Sequence, residues 1–126
     1  MSEIRVTTIS DTAGTGPVTL TKQSAAKAWV NFNGTGTIAA RDSFNVASLT
    51  DSSTGNFVVN FSNSFGNGNF SAVANQGNND GSNPGQNGVI TVGHTVASSS
   101  SIETSNVSNT NNDWAQISHI SHGDLA

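Results

Sequence analysis

From Ala26 to Phe61 the chain reads AKAWVNFNGTGTIAARDSFNVASLTDSSTGNFVVNF, short apolar-alternating runs separated by turns of Asn, Gly, Thr, Ser and Asp. Side chains on a strand point alternately to opposite faces, so Ala28, Val30 and Phe32 share one face while Trp29, Asn31 and Asn33 share the other. That is the pattern of a half-buried strand. Phe44 and Val46 repeat it as a pair on one face, and Phe57, Val59 and Phe61 repeat it more strongly, with Asn60 and Ser62 opposite. Between the runs lie Asn33-Gly34-Thr35-Gly36 and Asp51-Ser52-Ser53-Thr54-Gly55-Asn56. There Gly and Asn tolerate positive φ, and Asp and Ser can bond their own backbone.

Extended along the chain, the pattern predicts strands near Ala28 to Phe32, Thr37 to Ala40, Ser43 to Leu49, Phe57 to Phe61, Phe70 to Ala74, Val89 to Val96, Ser101 to Thr104 and Trp114 to Ile120. No segment supports a long helix. The fold class is therefore all-β, a β-sandwich with jelly-roll-like connections. Ahead of it, a short β-segment from Ile4 to Ile9 runs through Asp11 to Pro17 into a second short strand, Val18 to Leu20. The chain thus divides into an N-terminal segment, 1–24, that reads as a stalk or docking element, and a head domain, 25–126. Gln76 to Gly88 has no apolar residue except Pro84 and reads as a long surface loop. Its Asn78, Asn79, Asp80, Asn83 and Asn87 are expected to face solvent or a binding partner, because variable binding surfaces live on such loops.

Composition sharpens the picture. Of 126 residues only 33% are hydrophobic and 10% charged, while Asn, Ser, Thr and Gly fill half the positions. The surface is wet but nearly neutral, and the core is small. A chain this poor in large aliphatics has little burial to offset chain entropy, which favours an oligomer or a lattice. The net charge is −4, and the four basic residues, Arg5, Lys22, Lys27 and Arg41, form no cluster, so nucleic-acid binding is rejected. Absence of cysteine removes disulfides and thiol catalysis. Met1 to Gly16 lack the basic start and apolar core of a signal peptide, and no run is long enough to span a membrane as a helix, so membrane insertion is not expected.

Candidate chemistry is sparse. The histidines are His94, His119 and His122, and the last two, three apart on a strand, point to opposite faces and cannot chelate one ion within one extended chain. Copies of any of the three could still meet an ion on a symmetry axis, although an imidazole hydrogen-bonded near an interface requires less coincidence. The carboxylates Asp11, Asp42, Asp51, Asp80, Glu103, Asp113 and Asp124 show no paired spacing, and turn or cap duty accounts for most of them. No Ser lies in a G-x-S-x-G elbow. Neither 51–56 nor 78–83 has the carboxylate density of a calcium loop. We therefore expect no enzyme activity, no cofactor and no metal.

The order A-K-A-W-V-N-F-N-G-T-G-T, then R-D-S-F-N-V-A-S-L-T-D, then T-G-N-F-V-V-N-F resembles the terminal β-domain of virion structural proteins, often tail fibres, of tailed phages infecting marine bacteria and cyanobacteria. Ile4 to Asp11 resembles the short β-units preceding that domain. Ser101 to Asn106 and Asp113 to Ile120 resemble its closing strands. Ser64 to Phe70 departs from the family, which has a proline-containing turn there. The resemblance implies a homotrimer on the virion surface, made in the bacterial host cytoplasm, whose partners are itself, other tail or capsid proteins and a host receptor or glycan. It places Trp29 in the shared core pattern, and so favours a subunit contact there over a sugar-stacking plate; Ile4, Val6 and Ile9 join it as interface candidates. Trp114, beside Asn111-Asn112-Asp113, is a weaker glycan candidate. The function expected is a fibre or appendage subunit in host attachment. The alternative is a head decoration protein that stabilises the shell.

Overall fold

The computed structural model describes residues 25–77 and 88–126, the side chain of His94 excepted, and there the alternating runs form strands; the β-segments expected at Ile4 to Ile9 and Val18 to Leu20 lie outside the described residues. Eight strands follow in order: β1 Ala28–Asn33, β2 Ala39–Phe44, β3 Val46–Ser53, β4 Asn56–Phe61, β5 Ser71–Gly77, β6 Gly88–Val96, β7 Ser99–Asn106 and β8 Gln116–His122. They form two four-stranded antiparallel sheets, ordered β2-β1-β8-β5 and β3-β4-β7-β6. The inner faces meet as a β-sandwich, as the pattern predicts. The strand order, with the pairs β1–β2, β3–β4 and β6–β7 each inside one sheet, does not show a jelly-roll connection.

The centre is built by the four middle strands. Ala28, Val30 and Phe32 of β1 and Ile117 of β8 face Phe57, Val59 and Phe61 of β4 and Ile102 of β7. Phe32 and Phe57 meet edge to face across the gap, with centroids 5.4 Å apart, the favoured geometry for two aromatic quadrupoles. Polar residues occupy other buried positions of the two middle strands β7 and β8: Ser100 and Thr104 on β7, His119 and Ser121 on β8. The low aliphatic content of the chain is thus visible in the core itself.

Each end of the sandwich has its own plug. At one, Phe61, Phe65 and Phe70 cluster, with Phe65 and Phe70 stacked at 4.3 Å. The C-terminus is pinned beside them, with Gly66 N donating to Asp124 O (2.8 Å) and Ala126 N to Ser64 O (3.0 Å). Ser64 to Phe70 is therefore a core-sealing segment. At the other end Trp114 closes the sandwich over Gly34, whose N–H donates to Trp114 O (3.0 Å). Gly55 sits at the β3–β4 turn with φ 71°, its N–H donating to Asp113 Oδ1 (2.6 Å), and an added Cβ would press on the Thr104 carbonyl oxygen. Gly55→Ala is expected to cost about 1–3 kcal/mol from the backbone conformation alone; thermal unfolding of the variant measures it.

Two expected boundaries are corrected. The predicted strand Ser43 to Leu49 is broken at Asn45, which adopts φ 56° and carries the chain from one sheet to the other. Phe44 and Val46 therefore do not share a face: Phe44 lies on the outer side of its sheet, and Val46 packs against the core. The corner holds because the Asn45 amide donates to Lys27 O and Asn63 O (both 3.0 Å) while its Oδ1 accepts from Asn63 N (2.7 Å). Asn tolerates this left-handed conformation better than most residues because its short polar side chain bonds locally. The strand expected at Thr37 to Ala40 accordingly lies further on, at β2.

Candidate assembly surface

The outer face of the β2-β1-β8-β5 sheet carries an apolar row that the described residues do not cover. Register places Trp29 directly opposite Phe44 on one side and Ile120 on the other, with Val73 opposite Ile120. All four strands contribute one member. Phe44 is 54% exposed, Val73 61% and Ile120 39%, and Trp29 is half-buried between its neighbours. Residues directly opposite on one face have Cβ atoms only about 4.5–5.5 Å apart, so the row is continuous. A contiguous apolar patch of this kind on an otherwise polar chain marks an interaction surface.

Polar rows border it. On one side Asn31 donates to Ser118 Oγ (2.8 Å), and Arg41 bonds both Asn31 Oδ1 (3.2 Å) and the Ala115 carbonyl oxygen. Asp42 and Asn75 lie in the same register row. On the other side His122 pairs with Ser71. Trp29 thus stands where the sequence places it, on the face opposite Val30 and Phe32. Its companions Phe44, Ile120 and Val73 come from strands whose pairing no sequence spacing reveals.

The other candidates fare differently. Ile4, Val6 and Ile9, and Asn78, Asn79, Asp80, Asn83 and Asn87, lie outside the described residues. The chain enters β1 beside Ser121, where Lys27 N donates to Ser121 O (2.8 Å), whereas Gly77 pairs with Gln116. The points where 1–24 and 78–87 join the sandwich are therefore at opposite ends of β8. Trp114 is corrected: it is 7% exposed and plugs the core, so it offers no plate for a glycan. Among the described residues no group of three or more His, Asp or Glu could hold a metal.

His119 is also corrected, because it belongs to neither an interface nor an axis. It is 0% exposed, and its Nε2 shares a 3.1 Å hydrogen bond with Ser100 Oγ of the facing sheet; Ser121 Oγ lies 3.5 Å away. Nδ1 has no partner. Burial pushes the imidazole down from 6.5 to about 4, because the low-dielectric core disfavours its charged form. His122, three residues on, sits on the outer face as strand alternation requires. Comparison of this chain with family models, curated proteins and solved structures finds no match.

Proposed function

We propose that this chain is a non-enzymatic structural subunit of a bacteriophage particle, a fibre or appendage component on the virion surface that takes part in host attachment and assembles as a homotrimer. The apolar row Phe44–Trp29–Ile120–Val73 carries the assembly part of this reading. Left in water, the row forfeits burial worth about 25 cal/mol per Å², which a small core can ill spare. A second copy of the chain is the occupant that fits, since a net charge of −4 repels over the whole surface and an uncharged row is where two copies can meet.

The particle setting rests on the sequence resemblance. It agrees with a head that receives its N-terminal segment at one end and emits its polar loop at the other, so that 1–24 docks and 78–87 faces the host. Such a protein acts passively, through rigidity and multivalent display.

Light scattering or native mass spectrometry on the full chain tests assembly. We expect a trimer at micromolar concentration, and a folded monomer when Ile120 and Val73 are both replaced by Asp. A stable monomer of the unmodified protein removes the assembly reading. Labelling the protein on intact particles tests the location: signal on the tail supports the fibre, and signal over the head transfers the proposal to the decoration protein.

A further inference from the structure

The two long seams of the sandwich are unequal. Along β5 and β6 the sheets are tied: Gln76 Nε2 donates to Ser105 O (3.1 Å), Thr95 Oγ1 donates to Gly68 O (2.8 Å), and Ala74 and Ile90 pack on the core from the two sides. Along β2 and β3 they part. The gap is an open groove of about 280 Å³ whose floor includes Ile38, Ala40, Ser43, Val46 and Leu49. Ile38, Val46 and Leu49 touch the core, so the groove opens onto the hydrophobic interior. Among the described residues both flanking strands are edges, β2 pairing only with β1 and β3 only with β4. A strand edge beside exposed aliphatic side chains is the arrangement that an added strand completes.

We propose that the groove is filled by Val18-Thr19-Leu20 of the same chain, laid as an extra strand along the free edge of β3 with Val18 and Leu20 directed into the gap. Position is the first reason. The Asn45 amide holds Lys27 O at 3.0 Å, so the chain preceding residue 25 joins the body at the corner where the groove begins. Direction is the second: β3 runs away from that corner starting at Val46, and a segment running towards residue 25 runs antiparallel to it.

Reach is sufficient. Residues 21–27 span at most about 25 Å when extended, and Val46 to Leu49 cover about 10 Å. Chemistry agrees as well. Val18 and Leu20, two apart, share one strand face, Thr19 turns outward, and Pro17 stands at the strand start, where a missing N–H is tolerated. The groove lies below the roughly 300 Å³ at which small-molecule pockets begin, and suits two branched aliphatic side chains better than a ligand. The segment 78–87 is a poor competitor, since it has no aliphatic side chain and hangs from the tied seam. A short tether makes the segment's effective concentration millimolar, which favours it over a neighbour's copy. This inference concerns contacts within one chain, between 18–20 and the edge of β3, and does not depend on the particle reading.

Hydrogen exchange on the full-length protein provides the test. Amides of Val46 to Leu49 that do not face β4 should be protected, and should exchange roughly tenfold or more faster in the V18D/L20D variant. Free exchange at this edge in the unmodified protein overturns the proposal, as does protection that rises with protein concentration. A second variant needs no loss of packing: in this cysteine-free chain, Leu20→Cys with Val46→Cys should form an intramolecular link on mild oxidation. A link between two chains, or none, overturns the proposal.

Discussion

Replacing Phe57 by alanine is expected to remove about 3–5 kcal/mol of folding free energy, the range for deleting a fully buried aromatic ring. Phe57 is buried on β4, meets Phe32 edge to face at 5.4 Å across the two sheets, and comes close to Gly34 under the Trp114 plug. The cavity left behind would lie where both sheets and one end cap converge, so relaxation of one neighbour cannot fill it. A domain of this size has only about 5–15 kcal/mol of stability in total. The variant should therefore unfold at a much lower urea midpoint, or fail to accumulate folded. A midpoint shift equivalent to less than about 1 kcal/mol would show that the two sheets do not rely on this contact.

Acidification should destabilise the protein through His119. In the unfolded chain the imidazole titrates near 6.5, in the folded chain near 4. Between those values the unfolded state binds the extra proton, so the stability contributed by the neutral buried ring is fully present above the unfolded value and is lost as pH falls towards the folded one. From about pH 7 to pH 5 the expected loss is about 2 kcal/mol. The residues around the ring, Val30 opposite it on β1, Ala74 on β5 and Ser100 across the gap, carry no titratable side chain that could take up the charge. Urea midpoints at the two pH values measure the effect. His119→Leu should flatten this limb, because leucine fills the site without a titratable group. An unchanged acid limb in that variant would assign the loss to another residue.

Assembly and edge completion concern different faces of the molecule. The apolar row lies on the outside of one sheet, whereas the groove opens along the seam between the sheets. Ile120→Asp with Val73→Asp should change oligomeric state and leave edge exchange alone. V18D/L20D should do the reverse.

What the sequence determined by itself is what strand alternation encodes locally. The inward phase of Val30, Phe32, Phe57, Val59 and Phe61 and the outward phase of Trp29 follow from a period of two, and so does the division of His119 and His122 between faces. The turn glycine at Gly55 followed from its neighbours. Periodicity carries no record of which strands pair, because register and strand order arise from contacts far apart along the chain. Only the tertiary structure could therefore bring Phe44, Trp29, Ile120 and Val73 into one row, set Ser100 against His119, and break Ser43 to Leu49 at Asn45, whose side chain finds its partners in Lys27 and Asn63. Trp114 and Phe65 were missed as plugs for the same reason. Each lies outside the strands, where no alternation marks a buried position and only the closing of the sandwich ends decides it.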